Sequence, residues 1–252
     1  MKIDNFIRDG TLCWTLTSNG YKYLTWNFVL HWRLACPTHP ILVVCADKPS
    51  YQFLQREGIS CRLIDDAMTD FGPSIVPFGS RQFMSLNRLK LNLLDTFAKD
   101  DRIQSCMYLD GDIAIYQNVA EDCFTRLQTD PNGLIFQCDE QPHECSGAPC
   151  PNICTGFIVF RHGADNGCFK ITDEALWKEK PEDQVWVNQA MARLEISYTV
   201  LPRTLYPNGA RCSLTHSDPS KKADAMLLHY NYRVGNTKVA DMKRFGDWKL
   251  PY

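Results

Sequence analysis

The sequence predicts an α/β protein, a single domain built on a mostly parallel sheet flanked by helices. Two observations predict it. Short apolar, β-branched and aromatic runs alternate with helical stretches through the first half of the chain, the pattern of strand–helix–strand units. No repeat, low-complexity tract or separating linker interrupts the 252 residues, and a composition of 44% hydrophobic and 22% charged residues is globular, so one folding unit accommodates the length.

Taken along the chain, strands are expected at 11–17 (Thr-Leu-Cys-Trp-Thr-Leu-Thr), 41–45 (Ile-Leu-Val-Val-Cys), 61–64, 106–109, 113–116, 134–138, 157–160, 198–201 and 226–230. Helices are expected at 21–34, 50–57, 85–98, 119–128 and 182–194. The Pro-, Gly- and Cys-rich stretches 139–156 and 202–220 read as irregular connections. In such a sheet chemistry belongs at the carboxyl ends of the strands.

Charge and cysteine usage narrow the function. Lys and Arg number 27 against 29 Asp and Glu, so no field selects nucleic acid or a membrane surface. No apolar run approaches the ~18 residues of a membrane span, and the Met1–Phe6 stretch has no signal-like apolar region. A cytoplasmic location is the resulting expectation, and with it reduced thiols. Of the twelve cysteines, Cys13, Cys45, Cys106 and Cys138 read as small hydrophobes within strands. The group Cys138, Cys145, Cys150 and Cys154, with His143 among them, lacks the paired close spacing of a structural zinc site.

Five segments could carry chemistry. The strand at 106–109 runs into Asp110-Gly111-Asp112, where two carboxylates can converge on a hard cation and the glycine admits a ligand to the backbone. A hairpin turn is the plainer alternative. An EF-hand is excluded, because Ala114 and Ile115 stand where a ligand and a glycine are required. A haloacid-dehalogenase-type phosphatase also opens with Asp-x-Asp after a strand, but the later motif of that class has no counterpart. In the preceding helix, Leu86, Leu89, Leu93, Leu94 and Phe97 share one face at ~100° per residue, and Lys90 falls inside that arc. A lysine there must snorkel or meet an anion; a phosphate, with Arg81 as second cation, is one such anion. In the helix after Pro181, Asp183 and Gln184 turn toward the apolar face of Val187, Ala190 and Met191, although an acid in a first helical turn can simply complement the helix dipole. His229 ends the run Met226-Leu227-Leu228 and is a satisfied strand-end polar group or a metal ligand. Ser18-Asn19-Gly20 is a turn or a nucleotide cradle.

The order of these segments resembles the glycosyltransferases of the GT-A fold, closest to the glycogenin and lipopolysaccharide-galactosyltransferase type and the related nucleotide-diphospho-sugar transferase family. The likeness spans residues 11 to about 248 as a string of short motifs. It implies one GT-A domain over 1–252, with a nucleotide-binding part to about 118 and an acceptor and metal-closing part from about 119. It implies a metal-dependent, retaining transfer of a sugar from a nucleotide-diphosphate sugar, UDP being the expected nucleotide, to a hydroxyl of a glycan or glycoprotein. Donor contacts are implied at Leu16, Thr17, Ser18, Asn19, Tyr21, Arg81, Lys90, Leu109, Asp110, Gly111, Thr155, Gly156, Gly235 and Lys238. Asp183 and Gln184 are implied beside the anomeric carbon. Asp110, Asp112 and His229 are implied as ligands of Mn²⁺, or less well Mg²⁺. A ligating imidazole must be neutral, so metal-supported activity is expected to fall below its ordinary pKa of about 6.5. A binding module with the same fold and no turnover is the non-enzymatic alternative.

Overall fold

The structure is a computed structural model that describes residues 2–64, 71–139, 152–212, 215 and 219–251. Among these, the strands are β1 (Ile7–Arg8), β2 (Thr11–Thr17), β3 (Ile41–Cys45), β4 (Cys61–Leu63), β5 (Ser105–Leu109), β6 (Ile113–Ile115), β7 (Leu134–Cys138), β8 (Ile153–Arg161), β9 (Thr199–Val200) and β10 (Leu227–His229). The α-helices are α1 (Lys22–Ala35), α2 (Lys48–Arg56), α3 (Arg81–Ala98), α4 (Val119–Thr129), α5 (Glu174–Glu179), α6 (Asp183–Arg193), α7 (Pro219–Asp224) and α8 (Asn236–Arg244).

The main sheet has the order β4-β3-β2-β5-β8-β7-β9, with β1 folded back on the start of β2. Strand β2 is parallel to β3 and β5, β3 to β4, and β7 to β9. Strand β8 runs against both its neighbours. All strands of this sheet except β1 and β8 therefore point one way, the mostly parallel arrangement expected. Every residue of β3 and β7 is buried because helices cover both faces. Leu42 and Val44 pack with Leu91 and Val187 on one side, Val43 and Cys45 with Phe28 and Leu127 on the other. Double coverage is why these strands read as unbroken apolar runs.

Strands β6 and β10 form a separate antiparallel pair, Ile113 opposite His229 and Ile115 opposite Leu227. The hairpin alternative for Asp110-Gly111 is thereby overturned. β5 continues into the main sheet while β6 leaves it to pair with a segment from the end of the chain. A small third core of Leu24, Ala114, Leu228, Tyr230 and Met242 fastens this pair and α8 to α1.

Two helices begin earlier than their apolar period predicts, because a cap lies upstream. Ser80 accepts from Phe83 N–H at 3.2 Å and starts α3 at Arg81, while Asp47 accepts from Ser50 N–H at 2.9 Å and starts α2 at Lys48. Cys138 is disulfide-bonded, which corrects the expectation of reduced thiols throughout; the nine other described cysteines are free and buried. Cys145, Cys150 and His143 lie outside the described residues. No helix among the described residues is long and apolar enough to cross a membrane.

Candidate active site

A cleft of about 650 Å³ opens at the carboxyl ends of β2 and β5, where an open parallel sheet places ligands. Its floor is acidic. Asp110 and Asp112 leave the end of β5, and His229 arrives opposite them on β10, so that one ligand atom from each lies within 4.8 Å of the others. His229 Nε2 is 3.2 Å from Asp112 Oδ1 and 3.7 Å from Asp110 Oδ2. That nitrogen is buried and has no hydrogen-bond partner among the described residues, whereas Nδ1 lies 2.9 Å from Gln137 Oε1. Burial alone would lower the imidazole pKa, but the Asp112 carboxylate beside it raises it well above the ordinary value. Burial would likewise raise the Asp112 carboxyl, yet Lys238 and His229 hold it well below the usual carboxylate range.

The space these groups converge on is kept by a glycine. A Cβ on Gly156 would lie 2.3 Å from His229 Cε1 and 2.5 Å from Asp110 Oδ2. Gly156 sits where the register of β8 against β7 shifts, Ile158 facing Phe136 but Cys154 facing Gln137. The extra residues 155–157 bulge there, which turns Thr155 and Gly156 to the cleft. Gly111 is pressed on α1, where a Cβ would meet Thr25 Oγ1 at 2.7 Å.

Lys90 is buried and joins the metal-type cluster to α6. Its ammonium pairs with Asp183 and lies 3.5 Å from Asp110 Oδ1. Tyr108 places its ring 4.8 Å below the same ammonium and donates its hydroxyl to Asp110 at 2.5 Å. Burial would lower the Lys90 pKa, but Asp110 and Asp183 raise it. The anion that its position in the helix demands is thus supplied within the chain by carboxylates, and its burial does not itself call for a phosphate. Thr155 donates to Asp183 at 2.8 Å, so the dipole-complement reading of Asp183 gives way to a specific buried network. Lys90→Met is accordingly expected to lower stability by about 3–5 kcal/mol, the cost of stranding buried partners of an ion pair; urea unfolding of the two proteins measures it.

The cleft brings together Leu16, Thr17, Ser18, Tyr21, Lys90, Asp110, Gly111, Asp112, Thr155, Gly156, Asp183, Gln184, His229, Gly235 and Lys238. Three expected donor contacts do not line it. Arg81 is exposed at the start of α3, Leu109 is buried in β5, and the Asn19 backbone N–H is held by Asp47 at 2.9 Å. Lys238, expected at a diphosphate, reaches Asp112. Gln184 donates to Asp139 at 2.7 Å. Gly235 has φ +58° and begins α8, a left-handed turn that glycine adopts without strain.

Several lining or supporting residues escaped the sequence reading. Asp139 follows an apolar strand directly, as Asp110 does, and accepts from Gln184 and from Asn231 at 2.5 Å. Asn188, one turn after Gln184, exchanges two bonds with the Ile153 backbone at 3.0 and 3.1 Å and moors α6 to β8. Gln137 is a lone polar residue inside Leu-Ile-Phe-Gln-Cys, the signal that would have found it.

The architecture is the fold of the GT-A class of glycosyltransferases. The chain superposes on the galactosyltransferase LgtC solved with donor and acceptor sugar analogues (TM-score 0.55, 12% identity, 95% of this chain and 97% of that one). Mouse xyloside xylosyltransferase 1 matches similarly (TM-score 0.57, 11% identity, 89% and 99%). The bifunctional glycosyltransferase WbbM is also similar (TM-score 0.58, 12% identity, 96% of this chain but 51% of that one). A comparison with curated proteins yields no match. The family model for nucleotide-diphospho-sugar transferases matches residues 38–242. The chain belongs to that family.

Proposed function

We propose that the protein is a metal-dependent glycosyltransferase that moves a sugar, with retention, from a UDP-sugar to a hydroxyl of a glycan or glycoprotein. The observation that carries this is the convergence of Asp110, Asp112 and His229 within 4.8 Å beside the Lys90–Asp183 pair. Two carboxylates and an imidazole nitrogen with no hydrogen-bond partner among the described residues suit Mn²⁺, with Mg²⁺ a weaker substitute. An ion held there would supply the positive charge that offsets the departing nucleoside diphosphate. The remaining work falls to the chain's own groups. Leu16, Thr17, Ser18 and Tyr21 at the end of β2 receive the nucleotide. Lys90 and Lys238 supply cationic charge to the diphosphate; both hold carboxylates in the structure, so donor binding exchanges those partners. Asp183 and Gln184 lie at the sugar, where fixed negative and dipolar groups stabilise oxocarbenium-like charge. On this reading residues to about 118 hold the nucleotide and those from about 119 form the acceptor side.

The test is release of nucleoside diphosphate from a panel of nucleotide sugars with Mn²⁺. UDP released from one of them supports the proposal, and binding without turnover supports the inactive-module alternative. NMR of the product from an α-linked donor must show an α-linkage; a β-linkage refutes retention. The phosphatase alternative falls with the family match.

The raised His229 value also sets a pH dependence. A proton on the imidazole competes with a cation for Nε2, and because the value is raised, that competition extends above the ordinary 6.5. Mn²⁺ affinity is therefore expected to climb as pH rises through neutrality, by up to about tenfold per unit for one displaced proton. Calorimetric titrations across this range that give a constant affinity would remove His229 from the ligand set.

A further inference from the structure

Gln137 is fully buried in β7, at the point where the register against β8 shifts. A primary amide in that position is costly unless both its ends are satisfied. Both are. Its Nε2 donates to the backbone carbonyls of Tyr206 and Pro207, each at 3.1 Å, and its Oε1 faces His229 Nδ1 at 2.9 Å. The amide cannot be turned round, because that would set its oxygen against two carbonyl oxygens with no hydrogen between them. The atom facing the imidazole is therefore an acceptor, and Nδ1 must carry the hydrogen. Cys154 Sγ, 3.6 Å from Nδ1, is only a more distant neighbour of the same N–H.

With Nδ1 protonated, the lone pair of the neutral ring lies on Nε2, the buried atom that has no hydrogen-bond partner among the described residues and lies near the carboxylates of Asp110 and Asp112. The opposite tautomer would turn an N–H toward those carboxylates and close the position to a cation. We infer that Gln137 is a positioning residue: anchored by the Tyr206 and Pro207 carbonyls, it selects the Nδ1–H tautomer of His229 and so aims Nε2 at the ion. An outer partner of this kind on a ligating histidine fixes ring orientation and tautomer. The inference rests on the metal reading proposed above.

Two measurements test it, neither of them turnover. Mn²⁺ affinity is read from the free-ion electron paramagnetic resonance signal. Proton NMR of the Co²⁺-loaded protein in H₂O reads the imidazole N–H of a ligating histidine as a strongly shifted, solvent-exchangeable resonance. Wild type is expected to show that resonance. Gln137→Leu is expected to lose it and to bind Mn²⁺ about 10–100-fold more weakly. Unchanged affinity and an unchanged resonance in Gln137→Leu overturn the inference, as does a Co²⁺-bound wild type without the N–H signal. The wild-type spectrum decides alone if Gln137→Leu does not fold. Wild type that binds neither ion overturns the metal reading itself, and with it the role given to Gln137.

Discussion

Asp112→Asn is expected to fold, to lose Mn²⁺-dependent donor binding, and to turn over at least about 10²–10³-fold more slowly, the scale on which one lost electrostatic contact to a transition state is felt. The side chain keeps its shape and one acceptor oxygen, so packing around it survives. What disappears is the negative charge that faces both Lys238 and His229 in a buried setting. Without it, two of the three converging ligand atoms remain, and only Asp110 among them is anionic. Circular dichroism checks the fold, a Mn²⁺ titration the binding, and nucleoside diphosphate release the turnover. Full Mn²⁺-dependent turnover in this variant would remove Asp112 from the site.

Gly156→Ala is expected to be as damaging, for a steric reason. The added methyl would sit 2.3 Å from His229 Cε1 and 2.5 Å from Asp110 Oδ2, well inside contact distance. The backbone cannot retreat, because Phe157 to Arg161 are paired with β5 and the Gly156 carbonyl accepts from Asp110 N–H at 2.8 Å. His229 or Asp110 must therefore move by a large fraction of an ångström, and a displacement near 1 Å at a reacting site costs about 10²-fold. The expected result is a folded protein with Mn²⁺ binding lost and turnover reduced by at least that factor. Wild-type Mn²⁺ affinity in Gly156→Ala would show that the ion does not lie between these two residues.

Legibility in the sequence followed locality. Strands β2, β3 and β7 begin and end where the sequence predicts, because each is a largely buried, mainly apolar or β-branched run bounded by turn-formers. Strand β8 was read from 157 but begins at Ile153; its first residues cross a bulge, where alternation breaks. Helices α5, α7 and α8 were missed. α5 and α7 are six residues each, and in α8 only Met242 is buried, too little apolar period to register. The face of α3 is legible in part. Lys90, Leu94 and Phe97 are buried as the periodicity predicts, but Leu86, Leu89 and Leu93 are half-buried and Asn87 and Leu91 turn inward, because the helix packs beside an acidic cleft as well as an apolar core.

By itself the sequence determined residue chemistry and local shape: an Asp-Gly-Asp after a strand, a lysine inside an apolar arc, a histidine closing a late strand. Those depend on neighbours within a few positions, where backbone period and side-chain type suffice. Which of them meet was decided only by tertiary structure. His229 reaches Asp112 because β10 pairs with β6 rather than with the main sheet, and Lys90 is neutralised by Asp183 because α6 packs beside α3. Burial then set the charges, since an ion removed from water must find its counter-ion among whatever groups the fold brings within a few ångströms. The glutamine that orients the histidine and the glycine that leaves room for a ligand belong to this second kind of information. Neither is unusual as a residue, and each acquires its meaning from an atom far away along the chain.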